Sequence, residues 1–466
     1  MVDRVLFSQE IVSLAYQARV LKKASPTRGI LTADKLIWIT NEKKYVLALE
    51  DIVGASSLPE TSSYQMACFV VHAYPLIQKG KFFGKPRRVL REYYFACPDI
   101  KVRSQWVKAI NNALVERTQT KKPRHLHILL NPASGQQKAR RIFQKVRPMW
   151  EKSQIQLTVT ETTSAGQAKK IIQTLPLEKI DGLVIIGGDG TLYEAINGLM
   201  SRPDWESAIL TPIGLISAGT GNGLCKTLLD LAGEPYDPVS AAFLIAKGKT
   251  RPLDLAIAQQ HHRRYYSALS LSWGFISDVD LESDKLRFLG SFKNTIYALI
   301  RILSLRTYPG RLSFSPVSDW TPATHSECKS LAQCPICGDR LSPGLPLESV
   351  SHFTHVIEDE FVLFWAMNAI WAAHDIKATP HAHLSDGAMD LLVVRRGISK
   401  WQLLLAFLRS ATGEHISLPY VEYYKVRSFC LEPLTSRGTL AIDGEQVDYL
   451  PIQLQVFQGL ARVFGR

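Results

Sequence analysis

The sequence predicts an α/β domain with a mostly parallel sheet, preceded by a small strand-rich α+β barrel module and followed by an antiparallel β-sandwich. Three observations carry this. Between residues 124 and 255, apolar strand-like runs alternate with helix-spaced runs, the pattern of a parallel sheet covered on both faces. Residues 1–120 show short alternating runs closed by one amphipathic helix. Residues 256–466 carry strand after strand, with helical pieces only at 283–305 and 399–412 and a Pro-, Ser- and Cys-rich loop insertion at 318–357. A chain of 466 residues exceeds one core and suits two or three domains.

In the first region "GILTADKLIWIT", "KYVLALEDIVGAS", "ACFVVHAYP" and "REYYFAC" predict antiparallel strands. Val102, Trp106, Ala109, Ile110 and Ala113 then repeat at helical spacing, with Asp99 placed to cap them. Strands followed by one such helix resemble a pleckstrin-homology domain in architecture. "TQTKKPR" is the polar linker out of it. In the second region the strands are "HLHILLN", "IQLTVT", "GLVIIGG" and "IGLISAG". Their helices are "QQKARRIFQKVRPMW", "SAGQAKKIIQTL", "TLYEAINGL" and "NGLCKTLLDLAG". The third region supplies "YYSALSLSWGF", "GRLSFSP", "EFVLFWAMN", "AMDLLVVRR", "VRSFCLEP", "GTLAIDGE" and "IQLQVFQGLARVF" as strands.

Composition narrows the partners. The net charge of +13 favours something anionic: nucleic acid, phosphorylated ligands or an acidic membrane. The N-terminal stretch lacks the basic start and apolar run of a secretory signal. The longest apolar stretch, Phe361 to Ala373, is too short to span a bilayer and predicts a core strand. Seven cysteines, an odd number, fit a reducing cytosol.

Four strand ends carry small or polar residues: "NPASG" (131–135), "TETTSAG" (160–166), "GGDG" (187–190) and "SAGTGNG" (217–223). Glycines let backbone N–H groups approach an anion, and the N-termini of the following helices favour phosphate. A Walker loop is absent, because "KGKT" (247–250) lacks its leading glycine and reads as a turn after a helix. "GTGNGL" misses the dinucleotide fingerprint by one position. Phosphate repels a carboxylate, so phosphate binding alone does not account for Asp189 at this edge. A carboxylate there makes sense if it takes a proton from an attacking hydroxyl, or holds a magnesium ion that bridges phosphates. The plainer alternative is a turn aspartate bonded to its own backbone.

"GGDGTLYEAINGL", "SAGTGNG" and "NPASG" resemble the catalytic domain shared by diacylglycerol, ceramide and sphingosine kinases. "LSWGFISDVDLESDKLRFLG" (271–290) resembles the segment characteristic of sphingosine kinases. The resemblance covers roughly residues 124–466. It implies ATP and Mg²⁺, two catalytic domains with the site between them, and phosphorylation of the primary hydroxyl of sphingosine and related sphingoid bases. It further implies Asp189 as general base, with Gly187, Gly188, Gly190, Gly219, Thr220 and Gly221 lining the nucleotide phosphates. Asn131 and Thr160 would touch the nucleotide, and Glu194 would support the site. Asp280, with Asp278, Phe275 and Ile276 nearby, would hold the lipid head group. Arg287 and Lys293 would meet the β and γ phosphates, although family members usually carry Arg where this chain has Lys293. Asp443, Gly444 and Glu445 would close over the nucleotide. The residues themselves support part of this: a cationic amphiphile needs a carboxylate beside an apolar slot, which "GFISDVDLE" offers. A solvated helix start is the alternative for those acids. Phe288, Leu289, Phe292, Ile296, Leu299, Ile300 and Leu303 make one apolar helical face, core by default and a lipid lid by resemblance.

Two further signals stay open. Cys334, Cys337, His352 and His355 have spacings that could hold a structural zinc, with Cys328 and His325 as substitutes, or be free residues in a variable loop. That cysteine cluster and the pleckstrin-homology-like start keep ceramide kinase as the second choice, with diacylglycerol kinase and a catalytically silent lipid-binding scaffold behind it. "KGKFFGKPRRVLR" (79–91) sets six basic residues around Phe82 and Phe83, a solvated loop or a membrane-docking segment. No RNA-binding signature accompanies it, so nucleic acid is not expected. The expected location is cytoplasmic, with peripheral membrane association.

Overall fold

A computed structural model describes residues 4–17, 20–40, 43–59, 67–78, 84–118, 124–219, 221–283, 293–317 and 352–466. The chain divides into two compact units. One comprises Met1–Leu126, Phe143–Thr158 and Asp237–Lys249; the other comprises His127–Ile142, Val159–Tyr236 and Thr250–Arg466.

The first unit is built on a seven-stranded sheet in the order Lys44–Ala48, Lys35–Ile39, Val20–Thr32, Val5–Gln17, Arg91–Cys97, Ala67–Ala73, Ile52–Ser57. Every neighbouring pair runs antiparallel. The expected run "GILTADKLIWIT" is a hairpin, in which Thr32 Oγ1 accepts from the Lys35 amide at the turn, whereas "KYVLALEDIVGAS" divides into Lys44–Ala48 and Ile52–Ser57 at opposite edges of the sheet. Val5–Gln17 is an additional strand that its mixed polarity hides. The helix Ile100–Thr118 begins where Asp99 Oδ1 accepts from the Val102 amide at 2.8 Å, the cap the sequence predicts. Trp106, Ile110, Ala113 and Leu114 drop from it into a core with Leu31, Trp38, Phe69 and Phe95. The helix Pro238–Lys247 belongs to this unit. Asp237 caps it, and Lys247 Nζ donates to the carbonyls of Leu49 and Ile52. Phe82 and Phe83 of the basic segment lie outside the described residues.

The second unit contains one extended sheet whose order changes character along its width. Its order starts with the second-unit parts of Gln156–Glu161 and His125–Leu130, then Gly182–Gly187 and Ile213–Ser217, and continues into Ile452–Phe464, Glu422–Pro433, Tyr308–Pro316, His355–Met367, Ser270–Gly274. Gly182–Gly187, buried throughout, pairs in parallel with the largely buried Ile213–Ser217, as α/β strands do. From Ile452–Phe464 onward the pairs are antiparallel. Leu312, Phe314, Phe361, Phe364, Phe429 and Leu454 fill the core of that part. No helix among the described residues is long and apolar enough to cross a membrane.

Candidate active site

The four glycine-bearing loops are drawn together by backbone contacts. Gly135 has φ +59°, and a Cβ there would overlap the Ala218 carbonyl, so "NPASG" lies against "SAG". A Cβ on Gly219 would stand 3.0 Å from the Gly188 Cα, so the loops 187–190 and 217–223 meet main chain to main chain. Asn131 Nδ2 donates to Thr191 Oγ1 at 3.0 Å and ties the first loop to the helix Asp189–Met200. Glu194, on that helix, accepts from the amides of Gly166 (2.7 Å) and Ala168 (3.0 Å) and ties in the loop 160–166. Its place is thus to cap the helix Gln167–Thr174. Thr160 is half-buried at the end of its strand.

Asp189 stands at the centre. Its Oδ2 accepts from the Asn222 amide at 2.6 Å and the Gly223 amide at 3.3 Å, at the N-terminus of the helix Gly223–Leu231. Among the described residues no hydrogen bond falls on Oδ1. Burial among the loops removes hydration from the carboxylate and pushes its pKa up to about 7. The two amides pull the other way, and the charges of Asp443 and Asp280 add to the rise. A side chain at 221 would press on this carboxylate, since a Cβ there would lie 2.7 Å from Oδ2. Asn222 is a residue that sequence reasoning passed over. It has a left-handed backbone (φ 70°), is 4% exposed, and its Nδ2 is buried beside Gly219 without a partner among the described residues. Its position between two glycines of "GTGNG" is the signal that could have found it.

The acidic helix Phe275–Glu282 separates its carboxylates by environment. Asp278 is fully buried and saturated. It meets Arg301 Nη2 at 2.5 Å, the Tyr308 hydroxyl at 2.6 Å and Thr439 Oγ1 at 2.7 Å. It is therefore not brought to an open face. Arg301, which neutralises it, has no motif to announce it. Phe275 is buried, whereas Ile276 and Asp280 are half-buried. Asp280 is the acid of this helix whose charge is felt at Asp189.

Asp443 and Gly444, both at positive φ, form the turn between Leu440–Ile442 and Glu445–Gln446. Asp443 faces inward and accepts from Ser267 Oγ and from the amides of Ala268, Leu269 and Ser270. Glu445 is exposed, and its Oε1 lies against Gly190. That contact brings the "DGE" turn to the glycine loops. Arg287, Thr220, Cys334 and Cys337 lie outside the described residues, as do Cys328, His325, Phe288, Leu289 and Phe292. Of Lys293 only the helical backbone, in Lys293–Leu303, is described. His352 and His355 are exposed, and no group of three or more His, Cys, Asp or Glu converges as a metal site among the described residues.

Comparison with known proteins bears on the family and the fold. Residues 125–258 match the diacylglycerol kinase catalytic domain, and residues 355–465 match the YegS C-terminal NAD kinase beta sandwich-like domain. The crystal structure of a putative diacylglycerol kinase from Bacillus anthracis str. Sterne superposes with a TM-score of 0.52 at 21% identity, covering 74% of this chain and 98% of that one. Fold and loop set together define an ATP-dependent lipid kinase. Sphingosine kinase 1 of Arabidopsis thaliana is 36% identical over 370 residues, 74% of this chain and 76% of the relative. Sphingosine kinase 1 of Homo sapiens is 35% identical over 348 residues, 72% of this chain and 89% of the relative. The chain belongs to the sphingosine kinase family.

Proposed function

We propose that the chain phosphorylates the primary hydroxyl of sphingosine and related sphingoid bases with ATP, giving the 1-phosphate and ADP. The observation that carries the mechanism is the Asp189 carboxylate: anchored by one oxygen to a helix N-terminus, without a cationic partner among the described residues, and titrating near neutrality. Such a group accepts a proton at working pH, which a carboxylate of ordinary acidity does poorly. In this reading Oδ2 fixes the orientation and Oδ1 takes the hydroxyl proton. The amides of the loops 187–190 and 219–221, with the unpartnered Asn222 Nδ2, bind phosphate oxygens. Asn131 and Thr160 border the nucleotide, and Glu194 holds the loop 160–166 in place. Arg287 and Lys293 would neutralise the β and γ phosphates, and Asp280 would pair with the lipid ammonium beside Ile276.

Mg²⁺ fits the donor set present. Glu445, exposed with its Oε1 against Gly190, is a hard oxygen donor of the kind this ion takes alongside phosphate oxygens, and it would hold the ion while Asp189 stays free to take the proton. When bound, it would neutralise charge on the transferring phosphoryl group.

Three regions serve this reading: residues 1–120 as a pleckstrin-homology-like module, 124–255 as the nucleotide domain and 256–466 as the lipid domain. The antiparallel sheet closed by Ile100–Thr118 supports the first. The excess of positive charge supports an enzyme that visits anionic membranes, and the odd cysteine count supports a reducing cytosol. The deciding experiment is radiolabelled ATP with a lipid panel of sphingosine, dihydrosphingosine, phytosphingosine, ceramide and diacylglycerol. Label transfer to the three sphingoid bases is expected; transfer to ceramide or diacylglycerol alone would refute the substrate assignment.

A further inference from the structure

The helix Lys400–Arg409 is two-sided in an unusual way. Leu403 and Ala406 are buried and join the core, so the helix has already satisfied an inward apolar face. Trp401, Leu405 and Leu408, spaced four and three residues apart, form a second apolar stripe on the solvent side. They are 79%, 40% and 63% exposed. The stripe ends in cations, Lys400 and Arg409, neither of which has an acidic partner among the described residues. The helix Lys293–Leu303 packs beside it and exposes Leu299 (41%) and Leu303 (69%). Neither helix contains an Asp or Glu.

We propose that the Lys400–Arg409 helix is an interfacial docking element that seats Trp401, Leu405 and Leu408 in the head-group boundary of an anionic bilayer. Large apolar side chains left in water along one stripe mark an interaction surface. An indole rimmed by cations is the composition of an interfacial helix. Charge selects the occupant. A second copy of this chain docking isologously would set Lys400 and Arg409 against like charges, whereas anionic head groups complement both. The stripe is also one helix away from the proposed lipid site. Arg301 of the neighbouring helix bonds Asp278, and Tyr297 of the same helix bonds Glu282, so the helix beside the stripe packs on the acidic helix Phe275–Glu282. The inference deepens the membrane part of the proposed function and rests on it for the reason to visit a bilayer.

The test is flotation of the full chain with vesicles of phosphatidylcholine containing phosphatidylserine, and with phosphatidylcholine alone. Wild type is expected to float with the anionic vesicles, and the triple variant Trp401→Ser, Leu405→Ser, Leu408→Ser to show a bound fraction about tenfold lower. Lys400→Glu with Arg409→Glu is expected to remove the preference for phosphatidylserine. Activity on sphingosine in detergent micelles should stay within about twofold of wild type in both variants, which separates loss of docking from failure of the substrate assignment. A control substitution at another exposed apolar residue, Val159→Ser, should leave flotation unchanged. Equal flotation of wild type and the triple variant would overturn the proposal. So would conversion of a dimer to a monomer by the triple variant in sedimentation velocity with flotation unchanged.

Discussion

Asp189 and Asp278 are both carboxylates set among protein atoms, and they live under opposite rules. Asp278 has a guanidinium, a phenol and a hydroxyl on it, so its charge is neutralised and its lone pairs are occupied. Asp189 has two backbone amides on one oxygen, and among the described residues the charges felt there are those of the acids Asp443 and Asp280. The first arrangement fixes a helix to its surroundings. The second keeps a carboxylate poised between its two protonation states. Burial alone therefore does not distinguish structure from chemistry; the partner does.

The largest effect should come from erasing this difference at the reactive end. Asp189→Asn keeps an acceptor for the Asn222 and Gly223 amides but cannot take a proton. Turnover should fall about 10²–10⁴-fold, the usual contribution of a general base. ATP binding, followed by calorimetry, should persist. Full activity in this variant would remove Asp189 from the chemistry.

At the structural end, Asp278→Ala strands the Arg301 guanidinium, which is 4% exposed. Leaving a buried charge unpaired costs about 3 kcal/mol or more. Urea denaturation should show that loss. A variant as stable as wild type would mean that Arg301 finds water or another partner, and that the contrast with Asp189 is weaker than the contacts imply.

A third effect follows from the sign of the Asp189 shift. Its folded pKa, about 7, lies above that of an unfolded aspartate, so the native state holds the proton more tightly. The stabilising contribution is complete below the unfolded pKa, near 4, and is lost as pH rises through about 7. The thermal midpoint of the ligand-free wild type should therefore decline across that window relative to Asp189→Asn. Over the same window kcat/KM of the wild type should climb about tenfold per pH unit below 7 and then level off, because only the ionised form is a base. A kcat/KM flat from pH 5 to 8 would contradict the shift.

Much of the fold and site is legible in the sequence, and the reasons are local. Strand–helix alternation, the glycine loops and Asp99 as a cap are set by neighbours within a few residues, so periodicity and turn chemistry reveal them. The strand Val5–Gln17 escapes because its polarity does not alternate cleanly. Arg301 escapes because its meaning depends on Asp278, twenty-three positions away, and nothing in "IRIL" marks it as an ion-pair partner. Within "DGE" the motif is visible, but the division of labour is not. Asp443 braces the turn Ser267–Ser270, and Glu445 reaches the glycine loop. Tertiary pairing decides each of these cases.

The smallest expected effect concerns Asp280, which lies between the two extremes: half-buried, on the same helix as Asp278, yet close enough for its charge to reach Asp189. If it holds the lipid ammonium, Asp280→Asn keeps the shape and removes the charge. A charge-assisted hydrogen bond at a half-exposed site is worth about 1.5 kcal/mol, so KM for sphingosine should rise roughly tenfold. KM for ATP should barely move, and the thermal midpoint should stay near wild type, which Asp278→Ala would not allow. The Asp280 charge also raises the Asp189 pKa, so without it the pH profile should shift slightly acid of wild type. A rise in both Michaelis constants together would place Asp280 in the general architecture, on the Asp278 side of the comparison.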